Sequence, residues 1–543
     1  MYQFDDMADG NFIKLVPWLL CFGVVWVAWK TLRFALSTQR SPFLPPGPPV
    51  VPFLGNLHQV PSKKAFLKFQ EWGRKHGAIV SVKMGPTDMV ILNKAKDVRE
   101  LFDKRGAIYS SRPANHIGTE VITRDDVHLL LMPYGQAWRE QRRIYQAILS
   151  ITAVGSLRPL QAAEAVLTLH QLSQSPEQYY DHVRRYSTAV ILSSVFGVRG
   201  PKFHHRNITR LYKVQDQFTA ILDTAATPPV DVFSILKSLP NFLSPWRRWA
   251  YRIRTEQRQL YFELLQDVKD RRKRGIKRNC FMDQLLDESF RQKYSLDDEH
   301  IAYIGGVLME GGSDTTSSTL LSFLLAMVKY PHVLQKAQNH IDALCGTQRS
   351  PNFEDLARLP YIKCCVSEVL RWRPVAAGGI PHTLIQSTVM APFECLKQRE
   401  RWEAIHHDPE CYDDPDRFIP ERFEQNELGL KPGLNETDGI RKTYGFGAGR
   451  RICPGSHLAE NSLQINIAKV IWAFDIRAGK DTRTGLHLNV EDVDDDIRTR
   501  WTDGFLTAPK PFPVILSLRS NDHGAVIHRE LQEAQDIFET YED

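Results

Sequence analysis

The sequence predicts a mainly α-helical protein with small β-sheets behind an N-terminal apolar helix, and three observations predict it. Helical hydrophobic periodicity dominates from about Trp138 to Tyr330. The β-like runs are few and short, as at Ile79 to Lys83 and Met89 to Leu92. One uncharged stretch, Leu15 to Trp29, approaches the length of a membrane-spanning helix. With 543 residues, 43% hydrophobic and 24% charged, the chain can bury a large core, which excludes overall disorder. A net charge of +6 is too small over this length to imply nucleic acid. The eight cysteines, at positions 21, 280, 345, 364, 365, 395, 411 and 453, contain no CxxC pair and argue against a zinc ribbon or a disulfide framework.

At the N-terminus, Phe12 and Ile13 extend the apolar run across Lys14, which can snorkel to an interface, and Trp18, Trp26 and Trp29 suit the headgroup level. A cleaved signal peptide is the alternative, but no basic segment precedes the run, and Lys30, Arg33 and Arg40 follow it. Asp5, Asp6 and Asp9 before the run and bases after it place the body on the cytosolic side. The sequons at Asn207 and Asn435 would then never meet glycosylation machinery. The expected divisions are an anchor (1–40), a proline-rich hinge (41–55) acting as a stiff spacer, a body (56–520) and an acidic C-terminal tail (521–543). The basic cluster Arg271 to Arg278 reads as a solvated helix end, with an acidic-partner or lipid-surface role as the alternative.

The segment Phe446-Gly-Ala-Gly449-Arg-Arg451-Ile-Cys453-Pro-Gly455 precedes an apolar helical run, Leu458 to Phe474. Flanking glycines let the backbone approach a flat ligand and free N–H groups for a sulfur, while a helix N-terminus favours a thiolate. An isolated cysteine is usually inert packing, but five positions here coincide with FxxGxRxCxG. This spacing resembles the haem-binding loop of the cytochrome P450 family. The resemblance implies a triangular helical prism around haem b and makes Cys453 the axial thiolate, the metal ligand, with Phe446, Gly449 and Gly455 shaping its loop.

Further segments match in the family's order, from Pro45 to Leu518, and imply one large catalytic domain. Glu368 and Arg371 form an ExxR on one helix face, stopped by Pro374. Arg422, in Phe418-Ile-Pro-Glu-Arg422-Phe, matches the third member of a structural Glu-Arg-Arg network. Ser295 to Pro331 predicts one long helix with Ser295 and Asp298 at capping-box spacing. At its middle, Gly311 to Thr319 resembles the family's groove for dioxygen, with Thr315 and Asp314 matching the catalytic pair in proton delivery. The bland alternative is that these hydroxyls bond back to carbonyls one turn earlier. Trp138 and Arg142 give a WxxxR that resembles the clamp for the haem propionates, with Arg451 and His382 as further partners by position.

The resemblance is similar in flavour to microsomal monooxygenases of filamentous-fungal secondary metabolism. It implies an endoplasmic reticulum membrane protein, single-pass with a cytosolic catalytic domain, that inserts one oxygen atom of O2 into a hydrophobic small molecule. NADPH-cytochrome P450 reductase would supply electrons, and no nucleic acid is expected. Substrate contacts by resemblance fall in 112–133, 304–309 and 375–380 and near Phe505, with Glu310 and His128 orienting a polar group. One departure stands out. Between Ser387 and Glu403, Lys397-Gln-Arg-Glu-Arg401 replaces the apolar residues of an expected strand, which predicts an exposed loop or short helix outside the sheet. Two rival readings stay open: a reductase-independent haem-thiolate isomerase or dehydratase, and a non-catalytic haem-binding or partner protein damaged at 387–403.

Overall fold

A computed structural model describes residues 9–124, 127–223, 226–385, 397–400, 402–435, 440–481 and 484–542, with the backbone alone for 9–16, 397–400 and 402. Helix α1 (Asp9–Ser37) stands apart from the body, and its stretch Pro17–Ser37 is long and apolar enough to cross a membrane. Where α1 ends, Phe34 stacks on Phe53 and meets Phe233, ring centroids 6.3 and 5.6 Å apart. The proline-rich segment that follows is strapped along the body rather than free. Ser81 donates through Oγ to Pro45 O (2.5 Å) and through N–H to Pro46 O (2.9 Å), because proline keeps its carbonyl acceptor.

Helix α2 (Ala65–His76) buries Phe66, Phe69 and Trp72, the last two beside the hairpin of β1 (Ile79–Met84) and β2 (Thr87–Leu92). The helical body then follows: α3 (Gln136–Ile148), α4 (Arg158–Gln174), α5 (Tyr179–Phe196), α6 (Arg206–Leu222) and α7 (Pro245–Lys273). Helix α8 (Asp298–Lys329) runs unbroken for 32 residues and is buried along most of its length. Its cap is Asp297, whose Oδ1 accepts the His300 N–H at 2.8 Å, and not the expected Ser295. Ser295 instead takes a left-handed φ of 50° that closes the preceding short helix. Pro331 ends α8 and opens α9 (Pro331–Cys345), followed by α10 (Pro360–Trp372).

The first sheet has the order β1-β2-β4-β3, with β3 (His382–Thr383) and β4 (Lys397–Glu400). Strand β4 pairs parallel with β2, Val90 opposite Gln398, and antiparallel with β3, His382 opposite Gln398. This corrects the expected expulsion of Lys397-Gln-Arg-Glu from the sheet. The ladder uses main-chain groups, which charged residues carry as fully as valine, so the side-chain pattern gave the wrong answer. Residues 387–396 and 401 of that departure lie outside the described residues, and its last two, Trp402 and Glu403, open a short helix, Trp402–His406.

Helix α11 (Ser456–Ala473) packs on α4, α9 and α10 and leads into β5 (Phe474–Ala478), paired antiparallel with β6 (Val514–Leu518). The acidic end forms α12 (Asn521–Glu533) and α13 (Gln535–Glu539), which dock on α4 through Ala534 and Phe538. Buried Lys469 on α11 meets Glu530 at 3.3 Å. Arg278, from the basic cluster, donates to Tyr541 O and Glu542 O at 3.1 and 2.6 Å, while Arg271, Arg272 and Lys277 face Asp283 or Asp287. Much of that cluster thus serves internal pairing.

Candidate active site

The loop before α11 is closed on itself by the Cys453 N–H, which donates to Phe446 O at 2.8 Å. Gly449 has a φ of 61°, and a Cβ there would stand 2.4 Å from Phe102 O, so only glycine fits. Its N–H donates to Asp103 Oδ1 at 2.9 Å, fixing the loop to the chain before α3. Cys453 is exposed although it lies deep among surrounding chain, so its thiol faces an internal slot. Burial pushes this thiol up, while the Gly455 N–H aimed at the sulfur and the charge of Arg142 oppose that. The N-terminus of α11, three residues on, adds its dipole.

Beside the loop lies a cluster of guanidinium groups. Arg142 of α3 donates to Ile452 O (2.5 Å), and its buried Nε has no partner. Arg451 donates to Ser110 O, Leu129 O and Met132 O at 2.8, 3.2 and 2.7 Å and lies 4.4 Å over the Trp138 ring. Burial, with repulsion from Arg112 and Arg142, pushes its pKa down to about 8. Arg112 donates to Leu130 O, Ile380 O and Pro381 O. His382, its Nδ1 2.8 Å from Tyr109 O, is held well below the usual histidine range by burial and by Arg112 and Arg451. Among the described residues no carboxylate pairs with Arg142 or Arg451. Arg142 and Arg451, repelling each other with no carboxylate partner among the described residues, fit a ligand bearing its own carboxylates, and a sulfur at the slot fits a metal within it. Haem, with two propionates and an iron, meets both demands.

On α8 the predicted polar run bonds back to its own helix. Thr315 Oγ1 donates to Gly311 O (2.7 Å), Ser318 Oγ to Asp314 O (2.7 Å) and Thr319 Oγ1 to Thr315 O (3.0 Å). Back-bonding, the bland alternative, is therefore present, and α8 does not break at this point. Gly311 is nevertheless exposed in a buried helix, with nothing within 4 Å of where its Cβ would stand, so α8 fronts open space there. Gly312 has the opposite reason, since its Cβ would stand 2.2 Å from Ile191 of α5. Asp314, largely buried, is pushed up by burial; Arg184 at 3.9 Å opposes the shift and Asp216 adds to it.

Behind the loop, Arg371 donates to both oxygens of Glu368 at 2.7 and 2.9 Å, and Arg422 Nε approaches the same carboxylate at 3.2 Å, all three buried. Arg371 also holds His406 O (2.8 Å), and the ring Nε2 of His406 accepts the Tyr444 N–H at 2.9 Å. A continuous chain of hydrogen bonds thus joins the network to the segment leading to Cys453. Burial, then the charge of Arg371, pushes the pKa of His406 down to about 3, which keeps its ring an acceptor. The sequence reading placed Arg112 at the start of a substrate-contact loop rather than beside Arg451, and assigned no role to Arg184 or His406. No spacing motif marks Arg112, Arg184 or His406.

Comparison with known proteins gives the same answer. The chain matches the family model described as Cytochrome P450 over residues 45–490. It is 37% identical over 529 residues to the cytochrome P450 monooxygenase acuD of Aspergillus aculeatus, covering 96% of each chain. It is 37% identical over 519 residues to the cytochrome P450 monooxygenase patI of Aspergillus clavatus, covering 94% of this chain and 96% of that one. The structure of a zebra fish cytochrome P450 with progesterone superposes with a TM-score of 0.67 over 84% of this chain and 99% of that one, at 21% identity, which shows the shared fold. A match over most of the length, by sequence and by architecture, leaves one conclusion: this chain belongs to the cytochrome P450 family of haem-thiolate monooxygenases, with haem b as its cofactor.

Proposed function

We propose that the chain is a membrane-anchored monooxygenase of the endoplasmic reticulum that hydroxylates a hydrophobic small molecule of fungal secondary metabolism, using electrons from NADPH-cytochrome P450 reductase. The observation that carries this reading is the meeting of the slot-facing Cys453 with Arg142 and Arg451, for which the described residues offer no carboxylate. In this reading residues 1–40 are the anchor, 41–55 the hinge and 56–520 the catalytic domain, closed by the helices after 520. Cys453 is the iron ligand, its sulfur stabilised by the Gly455 N–H. Trp138, Arg142, Arg451 and His382, with Arg112 added, hold the propionates.

Bound haem supplies the activation of dioxygen and the transfer of one oxygen atom. The chain positions substrate and moves protons. The carboxyl of Asp314, raised by burial, is poised to hold a proton near the Gly311 opening, and Arg184 at 3.9 Å biases it back towards the carboxylate. The Thr315 hydroxyl, anchored on Gly311 O, is the relay at that opening. On the face nearest the Cys453 loop, Arg139, Arg143 and Arg450 are exposed and suit an acidic redox partner. The test is turnover by microsomes containing the full chain, with and without NADPH and reductase, under isotopically labelled O2. Label in the product only with both supports the reading; reductase-independent conversion favours an isomerase or dehydratase.

A further inference from the structure

Along the outer face of α2 runs a cavity of about 560 Å³, lined by no residue of the Cys453 slot. That volume suits a small-molecule site. Six bases line it, Lys63, Lys64, Lys68, Arg74, Lys75 and Arg498, against one acid, Glu71. Part of this charge is met: Lys63 and Lys64 lie 2.9 and 3.8 Å from Asp503, Lys68 2.8 Å from Glu71 and Arg498 3.4 Å from Asp496. Arg74 and Lys75 are exposed and pair with no carboxylate among the described residues. A helix C-terminus favours cations, which accounts for the last turn of α2 but not for the bases that continue along the groove to Lys63 and Arg498.

The groove has fixed walls. Lys64, directly before α2, holds a left-handed φ of 48°, a conformation L side chains rarely adopt, and its Nζ donates to Ile497 O, Arg498 O and Trp501 O at 2.9, 2.7 and 2.8 Å. Those bonds tie α2 to the segment that carries Arg498. At the far end, His76 closes α2 beside Lys75, and burial, then Lys75 and Arg40, hold it below the usual histidine range. Arg40 stands three residues after α1 ends at Ser37, at most about 10 Å of chain, with its guanidinium on Pro48 O at 3.4 Å. With α1 in a membrane, the unpaired end of the groove therefore lies close to the headgroups.

We propose that this groove seats the headgroup of an anionic glycerophospholipid from the membrane that holds α1, with Arg74 and Lys75 taking its phosphate. Phosphate oxygens accept charge-assisted hydrogen bonds from guanidinium and ammonium groups, which Arg74 and Lys75 supply without first giving up a carboxylate. Because α1 lies in the same bilayer, the site meets headgroups at high effective concentration and needs little affinity of its own. Occupied, it is a second point of attachment that limits how the body turns about residues 41–55. The inference goes beyond the monooxygenase reading: it rests on α1 as the anchor and on no step of catalysis.

The test uses the full chain in neutral detergent, given equimolar phosphatidylserine and phosphatidylcholine and read by native mass spectrometry. Phosphatidylserine adducts are expected to exceed phosphatidylcholine adducts about five- to thirty-fold, the effect of one to two basic residues near a headgroup. In Arg74→Gln/Lys75→Gln, which alters exposed side chains only, that ratio is expected to fall about five-fold or more with thermal unfolding unchanged. Lys75→Gln alone decides if the double variant does not fold. Lys30→Gln/Arg33→Gln, which changes bases of α1, is expected to keep most of the preference. Equal retention of the two lipids by the wild type, an unchanged ratio in the folded groove variant, or an equal loss in the α1 variant overturns the inference. Glycerophosphoserine, the headgroup without its chains, separates the sources: displacement of the lipid at equal concentration would assign the groove to a free phosphate ester and overturn the lipid assignment. Release of the wild-type chain from membranes by alkaline carbonate would be a different failure, that of the anchor itself.

Discussion

Arg371 grips Glu368 through two hydrogen bonds of 2.7 and 2.9 Å while both side chains are almost completely removed from solvent. Burial alone would lower the pKa of the guanidinium, yet the carboxylate beside it raises it overall. Neither charge has an escape to water. Glu368→Ala is therefore expected to strand the buried guanidiniums of Arg371 and Arg422, at a cost of about 3 to 5 kcal/mol, while Arg371→Ala leaves Glu368 to Arg422 alone, strips His406 O of its donor and is expected to cost less. Haem content and thermal unfolding check it, and wild-type haem retention in either variant would contradict the structural role.

The sulfur is the next expectation. Cys453→Ser keeps the loop closed, since the Phe446 O contact is made by main-chain N–H. The variant is expected to stay folded while the reduced carbon-monoxide complex loses the red-shifted Soret band of a thiolate ligand. An unchanged band would assign the ligand to another residue.

At the Gly311 opening, Thr315→Ala removes a hydroxyl that donates at 2.7 Å to Gly311 O. Proton delivery of this kind contributes about 10² to 10⁴ in rate. Haem binding and substrate binding should persist, while reducing equivalents pass to hydrogen peroxide and coupled product falls at least several-fold. Product and peroxide are measured against NADPH consumed, and equal coupling in the two proteins would exclude the role.

Deleting residues 1–40 removes the one helix among the described residues that is long and apolar enough to cross a membrane. Much of the protein is expected to leave the carbonate-resistant membrane fraction. A truncated chain that remains as firmly embedded would place the anchor elsewhere.

His406 gives a pH dependence with a defined sign. Its pKa falls from 6.5 to about 3 on folding, so between those values the unfolded chain binds the extra proton. Its contribution to stability is complete above pH 6.5 and is lost as pH falls towards 3, at up to about 1.4 kcal/mol per pH unit. His406→Gln, whose amide oxygen can still accept the Tyr444 N–H, should flatten the acid limb of stability by about one proton. Denaturant unfolding at a series of pH values reads it, and an unchanged slope would remove His406 from the account.

What was legible in the sequence followed from how local its signals are. Cys453 and its loop were readable because all five positions fall within ten residues, and Glu368 and Arg371 because residues three apart on a helix share a face. Arg184 beside Asp314, and His406 beneath Tyr444, were not, since contacts 130 and 38 residues apart leave no spacing signature. Strand β4 escaped for another reason: its partners are main-chain groups, and Lys397-Gln-Arg-Glu carries no alternation to announce them. The hinge escaped because prolines announce stiffness and say nothing of the surface they lie against.

The docking of α12 gives the protein a timetable. Lys469 is buried on α11, and Glu530, its one ion-pair partner among the described residues, is translated 61 residues later. At 5 to 20 residues per second that is a wait of roughly 3 to 12 s. Throughout it, α1 has already emerged and can hold the nascent chain at a membrane, while α4 and α11 lack the helices that cover them. This side of the fold waits on α12, so a ribosome that stops short of Glu530 releases a chain whose Lys469 lacks its carboxylate and whose α4 stands uncovered.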